Sequence, residues 1–347
     1  MPKNISEQRL GGCTIGGALS VTSFITDAVS VVHAPQGCAH QVFSMLHALV
    51  QDSSLPLILP VISSNLSDKD VIFGGEEALS RALDKAAEKN PALIIAVTSC
   101  VPDTIGDDCA AVCRMHKASD KILYLPTAGF LGGRAEEGEN AALAALSALS
   151  PVQEPVPLTA ALIGEKNLES EAEDNYAEVV RLLSRLGISV ILRFCRHIHA
   201  ADIEKLGQAS FFIVRDARVV EAGEKIAERF GRPYVSGFPR GLSGCITFLR
   251  EAGRCAGVPA DAIEAAVLAE EAYQKEMLKP FEELRGCSVS LDVELVEGTF
   301  EAAREAMERL EISESPDGMP VKLPFYLPVG VSGIVKMLYL WRRGKRQ

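Results

Sequence analysis

The feature that most constrains this chain is an alternation. Short apolar runs are each followed by a longer amphipathic stretch. The runs Val29–His33, Leu57–Ile62, Leu93–Thr98, Ile122–Pro126, Thr159–Ile163, Ser189–Phe194, Phe211–Val214, Ser288–Val293 and Val321–Phe325 have the length of buried strands. Cys38–Val50, Gly75–Lys89, Ile105–Lys117, Glu136–Leu149, Ser170–Leu186, Val219–Phe230, Gly241–Ala256, Ala260–Leu284, Thr299–Leu310 and Gly330–Trp341 read as helices. A strand that rejoins its sheet in the same direction needs a crossover, and a helix supplies one compactly. The alternation therefore predicts an α/β fold of parallel sheets with helices on both faces.

Punctuation divides the chain. Ser150–Pro157 carries Pro151, Pro155 and Pro157 and reads as a linker. A second junction follows Leu284, and Glu311–Met319 has the composition of a loop. The 347 residues then make two Rossmann-like parallel-sheet domains, 1–152 and 153–285, plus a truncated third piece, 286–347, that ends in a helix.

Charge excludes some functions. A formal net charge of −11 argues against a nucleic-acid partner, because a phosphate backbone wants clustered Lys and Arg. The basic tail of Arg342, Arg343, Lys345 and Arg346 reads as a solvated end. Met1–Leu10 lacks the apolar run of a signal peptide, and Val329–Trp341 is too short to span a membrane. A cytoplasmic protein is expected. No Gly-x-x-x-x-Gly-Lys-Ser/Thr loop occurs, so ATP binding by this chain is not expected.

Nine cysteines in a reducing compartment do not suggest a disulfide framework. Three of them fall where ligands gather in parallel sheets, at or near the loops that lead from strand ends into helices. Cys38 follows the strand Val29–His33 in His33-Ala34-Pro35-Gln36-Gly37-Cys38. Cys100 follows Leu93–Thr98 in Thr98-Ser99-Cys100-Val101-Pro102. Cys13 lies on a Gly-flanked loop, Gly11-Gly12-Cys13, ahead of the first helix. Spacing alone leaves two readings open: three buried core thiols, or three soft ligands that converge on an iron–sulfur cluster.

The remaining candidates have blander readings. Cys109 and Cys113 share a helix face in an otherwise apolar run and fit core packing. Cys195, His197 and His199 could chelate a metal but lack the second pair of a closed zinc site. His33 is either a donor behind Cys38 or a strand-end residue, and Asp107 and Asp108 suit a helix start. Cys245, Cys255 and Cys287 carry no motif, and His40 and His47 have no assigned role. No catalytic residue is evident.

Four ordered segments resemble the nitrogenase component 1-type oxidoreductase family. Arg9–Gly17 is similar to its first cluster-ligand motif. Val31–Gln41 is similar to its second, His-Gly-Pro-x-Gly-Cys, with Ala34 in place of the first glycine. A helix containing Asp27 is expected between them, as in the family. Ser64–Glu76 resembles the Asn-Glu-x-Asp-Ile-Val-Phe-Gly-Gly stretch, and Val97–Asp108 resembles the third ligand motif with its Ile-Gly-Asp-Asp continuation. Pro126–Phe130 and Gly237–Gly241 look like recurrent family loops.

The resemblance implies that Cys13, Cys38 and Cys100 bind a [4Fe–4S] cluster. It implies an electron donor, a nitrogenase-reductase-like ATPase, and a homodimer or a heterodimer with a related subunit; in the family the fourth ligand often comes from a partner subunit, and nothing in this chain obviously supplies it. The implied function is an oxidoreductase component that passes electrons to an unidentified substrate, with a tetrapyrrole-like molecule among the open classes; the alternative is a non-catalytic scaffold or carrier for an iron–sulfur cluster or metallocofactor. Nitrogenase itself holds a large metal cofactor through a Cys of its second domain and a His of its third. Here Phe211–Asp216 has no Cys and the last histidine is His199, so nitrogen fixation is disfavoured.

Overall fold

The computed structural model describes residues 12–51, 60–129, 133–294, 296–325 and 328–345. The expected α/β architecture is present. The first sheet has four strands in the order β2-β1-β3-β4: β1 Ala28–His33, β2 Val61–Ser63, β3 Leu93–Thr98 and β4 Ile122–Leu125. All its pairings are parallel, with His33 opposite Thr98 and Val32 opposite Ser63. That register puts the ends of β1, β2 and β3 side by side.

β1 and β3 are buried along their whole lengths, which is why they read as unbroken apolar runs rather than alternating ones. Helix α4, Glu76–Ala87, lays Leu79, Ala82, Leu83 and Ala86 over Val29, Val31, Ile94 and Ala96. Cys109 and Cys113 pack into the same core, as their apolar surroundings suggest.

A second sheet runs β6-β5-β7-β8, from β5 Val156–Ile163, β6 Ser189–Arg193, β7 Ala209–Val214 and β8 Tyr234–Ser236. A third, small parallel sheet has the order β10-β9-β11: β9 Ser288–Leu291, β10 Ser313–Glu314 and β11 Met319–Val321. The described residues fall into two compact units. One takes the chain to Pro155 with Ala161–Ser170 and Ile191–Arg232; the other takes Val156–Ala160, Glu171–Val190 and the chain from Pro233.

Several elements differ from the sequence expectation. The first helix, α1, is Thr14–Thr22, so Asp27 lies in the turn before β1 and not in a helix; its Oδ1 accepts the Ala200 N–H at 2.7 Å. The expected helix Ile105–Lys117 forms only over α6 Cys109–Met115, and a separate short helix, α5 Cys100–Ile105, precedes it. Gly106 ends α5 with φ 82°, a left-handed cap that glycine adopts without strain, and Asp108 starts α6 by accepting the Ala111 N–H at 2.8 Å. A short helix, α3 Asp68–Phe73, carries a capping box between Ser67 and Asp70. The expected α-helix to Leu284 ends at Leu278 and continues as a 3₁₀ segment containing Pro280, whose missing N–H cannot join the α ladder. The expected strand Leu57–Ile62 is described only from residue 60, and Phe130 and Arg346 lie outside the described residues.

In the second unit a buried ion-pair group joins three helices: α8 Ala172–Ser184, α11 Ala260–Leu278 and α13 Gly330–Lys345. Arg181 donates to Glu178 at 2.9 Å and to Glu270 at 2.6 and 2.8 Å. Glu178 also accepts the Val331 N–H at 2.7 Å and so caps α13.

Candidate functional site

Three helices of the first unit begin at the carboxyl-end face of the first sheet, and each begins at one of the motif cysteines. Cys13 is the N-cap residue of α1. Cys38 is the third residue of α2, Gln36–Gln51, and its N–H donates to the Pro35 carbonyl at 3.1 Å. Cys100 is the first residue of α5, behind the cap residue Ser99.

Exposure differs among the thiols, and Cys255 and Cys287 are half-buried. Cys13 and Cys38 are exposed and Cys100 is half-buried, whereas Cys109, Cys113, Cys195 and Cys245 are buried. Burial pushes the Cys109 thiol up to about 12 and the Cys113 thiol up to about 11, so neither ionises near neutrality. The Cys38 thiol is also pushed up, first by partial desolvation and then by the charges of Cys13 and Cys100. Among the described residues, no three His, Cys, Asp or Glu close on a single metal ion. A cuboidal cluster makes a different demand, because it spreads its thiolate ligands over separate iron corners. Three soft donors at separate helix starts, two of them exposed, fit such a group by donor chemistry.

Helix α1 is held from two sides. Its Thr14 hydroxyl donates to the Thr127 carbonyl, and the Thr127 hydroxyl donates to the Thr98 carbonyl at 2.7 Å. Asn167 donates to the carbonyls of Ser20 and Cys195, each at 2.9 Å, and accepts from Arg196 at 3.1 Å. The crossing with α7, Ala135–Ser147, is a backbone contact at Gly17 and Gly138.

His33 sits at the end of β1 and is fully buried. Its Nδ1 lies 2.9 Å from Ser64 Oγ and its Nε2 lies 3.4 Å from Asp107 Oδ2. With both ring nitrogens engaged, it is not a direct donor to a group at Cys38. Burial holds its pKa below the ordinary histidine value, against the opposing pull of Asp107 and Asp70. Asp107 also accepts the Gly75 N–H at 3.0 and 3.1 Å, so a helix-start role does not account for it; that role belongs to Asp108. Sequence reading missed Ser64, Gly75 and Asp107 as one group. The signal was there, in the adjacent glycines Gly74-Gly75 and the paired aspartates, but the partners are 31 to 74 positions apart.

The Cys195, His197, His199 run does not assemble. Cys195 is buried, and the His197 ring meets the Phe24 ring edge-on at 5.3 Å. His199 Nδ1 lies 3.1 Å from Thr26 Oγ1 and 3.6 Å from Asp27 Oδ2. The loop after β7, which has no Cys, carries Arg215 in a buried pair with Glu169 at 3.1 Å. Arg193 pairs with Glu165 nearby in sequence terms to β6, at 2.8 and 2.9 Å.

Comparison with known proteins gives a consistent result. The family model described as nitrogenase component 1 type oxidoreductase matches residues 13–294. The nitrogenase iron-molybdenum cofactor biosynthesis protein NifE of Bradyrhizobium diazoefficiens is 27% identical over 284 residues, 78% of this chain and 51% of that protein. NifE of Clostridium pasteurianum is 31% identical over 230 residues, 64% of this chain and 49% of that protein. The nitrogenase molybdenum-iron protein alpha chain of Methanothermobacter thermautotrophicus is 27% identical over 272 residues, 73% and 57% of the two chains. The chain thus spans about half the length of the curated relatives it matches. A solved structure titled "Nitrogenase Cp1 at pH 5" superposes with a TM-score of 0.67 at 20% identity, covering 92% of this chain and 64% of that one, which speaks to the fold.

Proposed function

The chain belongs to the nitrogenase component 1-type oxidoreductases, and on that premise we propose that it is the electron-accepting component of a two-component reductase. Cys13, Cys38 and Cys100 would hold a [4Fe–4S] cluster. The observation that carries this reading is their shared placement: three motif cysteines, each at or within the first turn of a helix start in the first unit. When bound, the cluster supplies one-electron transfer at a potential set by burial and hydrogen bonding around it.

The chain's own residues then do three things. Helix starts present the three thiols, the α1–α7 crossing positions Cys13, and the apolar core under β1 and β3 anchors the loops. The proposed electron donor is an ATP-dependent iron–sulfur reductase. Its docking is supported by Ile72 and Phe73, 72% and 80% exposed on α3, which packs beside the α5 helix that starts at Cys100. A dimer, with itself or with a related subunit, would supply the fourth ligand. Among the described residues no helix is long and apolar enough to cross a membrane. We place the protein in the cytoplasm, where its thiols stay reduced.

A second reading has its own support. The similar NifE proteins are named for cofactor biosynthesis, and a scaffold or carrier would use the same cysteines without turnover. Mixing the anaerobically reconstituted chain with a nitrogenase-type iron protein, dithionite and MgATP separates the two. The reductase reading expects the cluster's absorption to bleach only when MgATP is present. No ATP-dependent change, together with transfer of iron to an apo-ferredoxin, selects the scaffold instead.

A further inference from the structure

His33 and Asp107 make no contact that a core residue alone would require, yet they tie together three loop segments. β1 ends at His33 and leads into Cys38; the segment after β3 holds Cys100 and ends at Gly106; the segment after β2 leads to Gly75. The Ser99 N–H donates to the His33 carbonyl at 3.0 Å, a backbone link just before Cys100. The His33–Asp107 contact, at 3.4 Å, is a side-chain link just after the Cys100 helix. The Gly75 N–H and the Ser64 hydroxyl bring in the third segment.

The hydrogen positions follow from what each group can do. A carboxylate only accepts, so His33 Nε2 carries the proton and donates to Asp107. A neutral imidazole then accepts at Nδ1, and the Ser64 hydroxyl is its donor at 2.9 Å. Ser64 Oγ in turn accepts the Ala34 N–H at 3.2 Å. The chain of bonds fits a neutral, buried histidine and leaves no spare donor. Its packing is close as well: a Cβ on Gly75 would stand 2.5 Å from Leu66 Cδ2, 2.7 Å from Asp107 Oδ2 and 3.2 Å from His33 Cε1.

We propose that His33 and Asp107 are positioning residues for the cluster site, fixing the separation of Cys38 and Cys100 through the paired links on either side of Cys100. The inference rests on the cluster reading above. Neither residue is a ligand. Their effect passes through the loops, and Asp107 adds a carboxylate just after the Cys100 helix.

The test uses the full chain, reconstituted anaerobically, as wild type, Asp107→Ala, Asp107→Asn and His33→Gln. Iron and sulfide per chain, the EPR spectrum of the reduced cluster and its midpoint potential are measured, with the melting temperature of each metal-free protein. Asp107→Ala and His33→Gln are expected to lose at least about half of the iron and to broaden the EPR signal. Asp107→Asn still accepts from Gly75, so it is expected to retain most of the iron while its potential moves to a less negative value. A structural role alone would lower melting temperatures and leave the potential where it was. If the alanine variant does not fold, Asp107→Asn decides through its potential. A wild-type chain that loads, with variants of unchanged iron, spectrum and potential, overturns the proposal. A wild-type chain that takes up no cluster overturns the cluster reading itself, and this inference with it.

Discussion

A Cβ on Gly17 would stand 1.7 Å from the carbonyl oxygen of Ala135, so α1 and α7 cross with their backbones in direct contact. The contact is reciprocal: a Cβ on Gly138 would stand 1.8 Å from the Thr14 carbonyl oxygen. No rotamer relieves a clash between backbone atoms, so the helices must separate. Gly17→Ala is expected to cost at least about 2 kcal/mol of stability, from overpacking. It should also displace Cys13 and lower iron uptake. Urea melts and iron analysis check both. A stability loss below about 0.5 kcal/mol would mean that the helices tolerate a wider crossing.

His33 gives the protein an acid limit. Its folded pKa lies below the unfolded value of about 6.5, mainly through burial, with Asp107 and Asp70 opposing. The unfolded chain therefore binds a proton that the folded site resists. Stability is full above about pH 6.5 and falls as pH drops toward the folded pKa, by at most about 1.4 kcal/mol per pH unit. His33→Gln removes this component. Melts of both proteins at about pH 7.5 and about pH 5.5 should show a steeper loss for the wild type. Equal losses would contradict the account.

The nine thiols should differ in reactivity. A thiol pushed to about 12, as at Cys109, is ionised in roughly one molecule in ten thousand at pH 8. Maleimide labelling of the metal-free native protein should reach Cys13 and Cys38 first and Cys100 next. Cys109, Cys113, Cys195 and Cys245 should label only on unfolding. Peptide mapping by mass spectrometry reads the order. Early labelling of Cys109 would refute its place in the core.

Glu270 is fully buried and accepts from Arg181 at 2.6 Å and from Arg185 at 3.0 Å. Glu270→Ala leaves two guanidinium groups short of a partner in a partly dry site. A loss of about 3 kcal/mol is expected, measured by urea unfolding, with iron content per folded chain unchanged. A loss below about 1 kcal/mol would indicate that solvent replaces the carboxylate.

Much of this organisation was legible from the residues. The apolar runs at Val29–His33 and Leu93–Thr98 mark strands buried on both faces, and the observed β1 and β3 match them closely. The positions of Cys38 and Cys100 after those strands followed directly. Local breaks were harder to read. The expected helix start at Ile105 fell on the end of a shorter helix, and only the left-handed φ of Gly106 shows that this one stops there. Asp68–Phe73 has six residues, too few for an apolar period, so its sole signal was the Ser67–Asp70 capping pair. The His33–Asp107 contact was out of reach for a different reason. It is made by a 74-residue separation that the register of β1 on β3 closes, and no local pattern encodes that register.

The central claim is that Cys13, Cys38 and Cys100 hold the cluster, and iron and sulfide analysis of anaerobically reconstituted variants tests it most directly. Cys13→Ala, Cys38→Ala and Cys100→Ala are each expected to retain at most about half of the wild-type iron and to lose the charge-transfer absorption of a thiolate-bound cluster. Cys109→Ala, which alters only the core, should load like the wild type. Unchanged iron in the three motif variants, or an equal loss in Cys109→Ala, would contradict the assignment.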